Sequence, residues 1–221
     1  MTLTDLIAFD AAHGDVVCGT DETGRACYAG PLVAAAVRLR PAGLGAQSLA
    51  ALERLNDSKK LSATVRAELY PVVLGAAESV AICLRSARAI DERSLDVCNQ
   101  EANRCALTRV ATPGAALLAD GCSRRGYALE PIAGSDVVHV VGGDRASAAI
   151  AAASIVAKVT RDRLMGRLAV CHPGYGFERH AGYGTKDHER AIARLGLCDQ
   201  HRGSIKKLAQ LAAAGDSASE R

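Results

Sequence analysis

Residues 15–37 read DVVCGTDETGRACYAGPLVAAAV: a strand, a polar turn and a second strand. Val16, Val17 and Cys18 are apolar and two of the three are β-branched, which suits a largely buried strand. That strand runs directly into two adjacent acids, Asp21 and Glu22. An unpaired carboxylate taken out of water costs several kcal/mol or more, so this strand end calls for a partner. A divalent cation is the simplest one. The turn that follows, Gly24-Arg25-Ala26, offers small residues, backbone N–H groups and one guanidinium, a cradle suited to phosphate beside a metal. Taken alone, an Asp-Glu pair is more often the solvated end of a hairpin. The rest of the chain decides between the two.

Two further strands end in the same way. Residues 116–119 form a short apolar run closed by Asp120 and Gly121, and residues 137–141 lead through Gly142-Gly143 to Asp144. Helical patterns alternate with these strands: 47–55, a helix capped by Ser62 and running to about 76, a long one opened by Asp91 and stopped near Pro113-Gly114, and an Ala-rich one over 146–170. Strands followed by helices place their C-terminal ends along one sheet edge, where α/β sites form. One acid at a strand end is usually a turn former or a cap, and Asp144 alone would suit the next helix N-terminus. Four together, with no basic residues to match them in the strands, suit a hard cation such as Mg²⁺ or Mn²⁺.

The 221 residues fit one large domain or a domain with a small appendage. Hydrophobic residues reach 49 % but aromatics only 3 %, with no Trp, so the core is built from Ala, Val, Leu and Ile. A net charge of +3 does not by itself demand a nucleic-acid partner. The eight cysteines show no C-x-x-C spacing, and Cys18, Cys83 and Cys105 lie in apolar runs. They read as reduced, buried small hydrophobes of a cytosolic protein. The N-terminus lacks a signal-peptide pattern, and the apolar run 147–157 is cut at Lys158, too short to span a bilayer. The expectation is a cytoplasmic monomer with no membrane partner.

From Cys171 the texture changes. HPGYGFERHAGYGTKDH is rich in Gly, His and Tyr and lacks periodicity, so it reads as a functional loop. Helices follow over 186–195 and about 205–213, then a polar tail expected to be disordered. The domain reading is therefore a catalytic part over 1–170, a C-terminal loop and helical segment over 171–214, and a tail over 215–221. His172, His180 and His188 resemble a metal set, but their loop and helix-start contexts favour capping or phosphate contact. Ser154, Lys158 and Arg161 share one helix stripe, with Lys158 either an ion pair with a site acid or solvated. Arg161, Arg163 and Arg167 read as surface charges. Tyr183, flanked by glycines, either stacks on a sugar or base or closes a small core.

The stretches GTDETGRACYAGPLVAAAV, NDSKKLS, LLADG, GGDRASAAIAAASIVAKVTRDRLM and HPGYGFERHAGYGTKDH, then LG and HRGSI, occur in that order from about 18 to 205. With them the chain resembles bacterial type 2 ribonuclease H, ribonuclease HII. The resemblance implies an α/β fold, a ribonuclease H-like mixed sheet flanked by helices, with a C-terminal helical segment that closes over nucleic acid. It implies endonucleolytic cleavage of RNA paired with DNA, and incision at single ribonucleotides in duplex DNA. The family's four metal-binding acids fall on Asp21, Glu22, Asp120 and Asp144. Its junction-holding turn falls on Gly24, Arg25 and Ala26, its junction-sensing tyrosine on Tyr183, and a backbone-contacting lysine on Lys59. Ala26 stands where the family usually has glycine, which raises the question whether the turn needs a left-handed residue there.

The residues' own chemistry agrees. Two divalent ions about 3.5–4 Å apart serve in-line hydrolysis of a phosphodiester, and four carboxylates are about what two such ions need. Attack by water gives 3′-hydroxyl and 5′-phosphate ends and leaves the 2′-hydroxyl as a recognition element. A silent binding module on the same fold is disfavoured by the complete acid set, and a DNA-only nuclease by GYGTKDH and DSKKLS.

Overall fold

The strand that carries Asp21 and Glu22 lies at the centre of a mixed sheet and runs one residue past them, to Thr23. The computed structural model describes residues 2–55, 61–121 and 128–219. In chain order the elements are α1 (Leu3–His13), β1 (Val17–Thr23), β2 (Leu32–Leu39), α2 (Ala46–Leu52), α3 (Ala63–Ala76), β3 (Ser79–Arg85), α4 (Ala87–Arg93), α5 (Leu95–Val110), β4 (Ala116–Asp120), β5 (Val137–Val140), α6 (Ala148–Cys171), α7 (Phe177–His180), α8 (Lys186–Leu195) and α9 (Lys206–Ser219). The sheet order is β3-β2-β1-β4-β5. β1 runs antiparallel to β2 and parallel to β4, and β4 parallel to β5. Helices flank this sheet. None among the described residues is long and apolar enough to cross a membrane.

The chain divides into two compact units. One comprises Met1–Thr23, Val33–Cys83 and Gln100–Val159, the other Gly24–Leu32, Leu84–Asn99 and Thr160–Arg221. The polar turn between β1 and β2 thus belongs to the second unit, although β1 and all of β2 after Leu32 lie in the first.

In the first unit, small side chains set the spacing. Val33 to Val37 of β2 are fully buried and three of them are alanines. On β1, a Cβ at Gly19 would overlap the backbone of Ala149 and Ile150, so the start of α6 rests directly on the strand. Asp10 of α1 caps that start: its Oδ2 accepts the Ala149 N–H at 2.9 Å. Asp10 is wholly buried, and burial pushes its carboxyl up to about 6 from 3.8 despite hydrogen bonds from Ser147 and Ala149 that act the other way.

The raised value fixes the sign of a pH effect. The folded state takes the proton more readily than the unfolded chain. Asp10 therefore contributes most below pH 4 and loses that contribution as pH rises through about 6. The full swing is about 3 kcal/mol. Asp10→Asn should consequently gain stability relative to the native chain between pH 4 and 7, by up to that amount, in urea unfolding. A pH-independent difference between the two proteins would show that Asp10 titrates normally.

Several elements differ from the sequence expectation. The helix expected to open at Asp91 is two helices, because Ser94 sits at φ 78 and its hydroxyl accepts from Val97 N at 3.4 Å. Asp91 is instead an acceptor for the N–H groups of Gly203 and Ser204, at 2.8 and 2.9 Å. The loop after Cys171 contains α7, and α9 continues through Ser219 into the polar stretch expected to be disordered. An N-terminal helix absent from the sequence reading is set by a capping box between Thr2 and Asp5. Cys83 and Cys105, expected to be reduced, are joined as a disulfide between β3 and α5. Cys18 does fit that expectation: it is buried, and burial raises its thiol to about 12.

Candidate active site

Parallel pairing brings the acids of the first unit to one sheet edge. Thr20 on β1 faces Ala119 on β4, and the next residue on each strand is an acid, Asp21 and Asp120. Asp144 follows β5 in a 3₁₀ turn, Gly143–Arg145. The Asp120 carboxylate accepts the Gly143 N–H at 2.7 Å, which ties the β4 end to that turn. Asp21 and Asp144 are almost sealed from water, at 3 % and 2 % exposure, while Glu22 and Asp120 are partly exposed.

Each carboxylate has protein atoms that fix its position. Asp21 Oδ1 accepts the Glu22 N–H at 2.8 Å. Glu22 Oε2 accepts from Asn103 Nδ2 on α5 at 3.1 Å. Because a carboxylate only accepts, the Asn103 amide nitrogen must face Glu22, and its oxygen then faces the Thr20 hydroxyl at 2.8 Å. Arg145 Nε lies 4.0 Å from Asp144 Oδ1 with its side chain 64 % exposed, so solvent screens that cation. The donor set is carboxylate oxygen throughout. That chemistry fits hard divalent cations and lacks the nitrogen or sulfur that softer metals prefer.

The second unit holds the turn and Tyr183 together. Cys27 and Tyr183 form an antiparallel bridge, and the Gly182 carbonyl accepts from Tyr28 N at 2.8 Å and Ala29 N at 3.2 Å. The glycines beside Tyr183 allow this approach: a Cβ at Gly182 would strike the Ala29 carbonyl, and one at Gly184 the Tyr28 ring. Tyr183 is 38 % exposed, with the Arg161 guanidinium 6.0 Å from its ring centroid. It does not close a core. Arg25 and Ala26 are exposed, and Arg25 lies 3.6 Å from Asp96. The left-handed residue of the turn is Gly24, at φ 96; Ala26 is not among the positive-φ residues, so its methyl group imposes no backbone strain. Lys59 lies outside the described residues.

Two buried arginines hold this turn. Arg161, expected at the surface, is fully buried and donates to the carbonyls of Pro31, Ala181 and Ala29 at 2.9, 2.8 and 3.1 Å. Arg202 donates to Gly30 O and Arg25 O at 3.0 Å each. Burial lowers the Arg202 pKa to about 10, which leaves it charged at neutral pH. Carbonyl oxygens from several segments stand in for the lost water, so each guanidinium fixes a backbone path that has no regular pairing of its own.

A chain of imidazoles supports the Tyr183 carbonyl. That oxygen can only accept, so His188 Nδ1, 2.9 Å away, carries the proton. His188 Nε2 must then accept from His201 Nε2 at 3.1 Å, and His201 Nδ1 accepts the Cys198 N–H at 2.9 Å. This arrangement needs both rings neutral. Burial, the largest cause for each, lowers His188 to about 4 and His201 below its ordinary value. His180 is likewise committed to backbone, with Nε2 on Tyr175 O at 2.9 Å and Nδ1 on Gly182 N at 3.2 Å.

The chain is similar to known proteins in sequence and in fold. A family model described as Ribonuclease HII matches residues 18–209. A curated Ribonuclease HII of Mycobacterium tuberculosis is 41 % identical over 202 residues, covering 91 % of this chain and 72 % of that protein. The crystal structure of ribonuclease H2 from Pyrococcus horikoshii superposes with a TM-score of 0.72 at 22 % identity, over 91 % of this chain and 99 % of that one. Bst-RNase HIII in complex with Mn²⁺ superposes with a TM-score of 0.72 at 18 % identity, over 95 % and 73 %. These two structures share the fold.

Proposed function

The chain belongs to the ribonuclease HII family, and from that membership we propose how its residues perform the reaction. It is a metal-dependent endonuclease that cleaves the RNA strand of RNA–DNA hybrids. The observation that carries the residue assignment is the all-carboxylate edge of the first unit, where two acids are nearly sealed from water. Asp21, Glu22, Asp120 and Asp144 are the groups that would hold Mg²⁺ or Mn²⁺. When bound, such ions polarise the scissile phosphate and generate the attacking nucleophile from water.

The protein's own share is positioning. Gly143 N–H and Asn103 orient the Asp120 and Glu22 carboxylates, so little rearrangement accompanies loading. Gly24, Arg25 and Ala26 receive the backbone at the RNA–DNA junction, with Arg25 exchanging its exposed Asp96 contact for phosphate. Tyr183 stacks on a sugar or base beside the 2′-hydroxyl, and Lys59 contacts the phosphate backbone. The reading extends to incision at single ribonucleotides in duplex DNA, as in ribonucleotide removal during replication and repair.

The test compares three duplexes, each with and without EDTA: an RNA–DNA hybrid, DNA with one ribonucleotide, and all-DNA. Cleavage of the first two, with 3′-hydroxyl and 5′-phosphate ends and only with divalent metal, is the expected result. Cyclic phosphate products would put the 2′-hydroxyl in the nucleophile's place, and cutting of all-DNA would remove the junction role.

A further inference from the structure

In the second unit the end of α6 and the turn after α8 bring together three ligand types from two segments. His172 extends the last turn of α6, its N–H donating to Leu168 O at 2.8 Å. Its Nε2 lies 3.4 Å from Asp199 Oδ1, and one ligand atom from each of His172, Cys198 and Asp199 lies within 4.8 Å of the other two. We propose that His172, Cys198 and Asp199 form a zinc-class cation site.

The spacing favours it. Ligand bonds of about 2.0–2.3 Å in a tetrahedron put neighbouring donor atoms about 3.3–3.7 Å apart, which the imidazole and carboxylate already satisfy. A histidine–carboxylate pair accounts for that contact alone; the sulfur is a third ligand type that the fold brings to the same point. Cys198 is half-buried, with its sulfur 3.2 Å from His201 Nδ1. One thiolate, one carboxylate and one neutral imidazole also balance a dication in charge. Asp199, 75 % exposed, stands on the open side, where water completes the fourth position.

The donor types set the metal class. Sulfur and nitrogen select zinc-like ions, whereas the four acids offer oxygen only. His180 and His188 are excluded as ligands, since both nitrogens of each are engaged by protein partners. Occupancy would pin the Cys198 turn, whose N–H seats His201 and, through His188, the Tyr183 carbonyl. The site is a clip on that loop.

Co²⁺ is the probe, added to the 221-residue chain with its free thiols unoxidised, in excess Mg²⁺ so that oxygen sites are filled. The expected result is a thiolate-to-cobalt charge-transfer band that saturates at one equivalent and is displaced by Zn²⁺. Cys198→Ser should lose the band, and Cys171→Ser, an exposed neighbour outside the triad, should keep it. His172→Gln should weaken Co²⁺ binding at least about 10-fold. Circular dichroism checks that each variant folds. If Cys198→Ser does not fold, Asp199→Asn at an exposed position reads the same loss of affinity. Absence of the band in the native protein, or its persistence in folded Cys198→Ser, overturns the proposal. So does its transfer to dependence on Cys171.

Discussion

Asp120→Asn should lower turnover on an RNA–DNA hybrid by about 10³-fold or more while leaving the protein folded. The exchange is nearly isosteric, and the asparagine keeps a carbonyl oxygen to accept the Gly143 N–H, so the turn carrying Asp144 stays seated. What changes is the other atom. An NH₂ group with two donors replaces a charged acceptor at the sheet edge shared with Asp21. Losing one anionic ligand removes several kcal/mol of charge stabilisation in the transition state, and about 4 kcal/mol corresponds to that factor. Hybrid binding, measured in Ca²⁺, should change little, because recognition rests on other groups. Near-native turnover in Mg²⁺ would place Asp120 outside the metal site. A matching loss of thermal stability would assign it a structural role instead.

The proposed acids stand out in the sequence because burial and charge conflict within a few residues of each other. Val17-Cys18 demands an interior and Asp21-Glu22 demands compensation, and no distant contact is needed to see it. The arginines are the opposite case. Arg161 looks like one more cation on the stripe shared with Lys158, and nothing local distinguishes it from Arg163 or Arg167. Its burial follows from the carbonyls of Ala29, Pro31 and Ala181, residues 20 to 132 positions away that only the fold assembles. Tautomer logic at His188 and His201 is equally invisible, since it depends on which atom faces which. The break at Ser94 was hidden for a different reason. Serine is tolerated on either side of a helix end, and the left-handed φ of 78 is imposed where α4 stops and α5 starts. The doubt over Ala26 came from sequence alone, and backbone angles answer it: the turn takes its left-handed residue from Gly24.

Gly19→Ala should be among the most damaging small substitutions in the first unit, although it adds one methyl group at a site with no chemistry. The added carbon would overlap the carbonyl carbon of Ala149 and the nitrogen of Ile150, and come within 2.9 Å of the Ala149 side chain. Backbone cannot rotate away as a flexible side chain can, so the start of α6 must lift from β1. Overpacking of a close-packed contact costs about 1–3 kcal/mol, and the expected loss here is at the upper end, about 3 kcal/mol. The displacement also reaches the site. Asp144 precedes α6 by a few residues, Asp21 lies two residues along β1, and Asp10 caps the same helix start. A shift of about 1 Å between such groups costs up to about 10²-fold in rate. Gly166→Ala supplies the control. It lies in α6 itself, but no heavy atom beyond its own helix would meet its added carbon within 4 Å. There the methyl group only improves helix propensity and should stabilise by up to about 1 kcal/mol. Urea unfolding and hybrid turnover of both variants, assayed where each is folded, should therefore move in opposite directions in stability. Only Gly19→Ala should lose activity. Equal, small effects at the two positions would mean that α6 does not rest on β1 at Gly19.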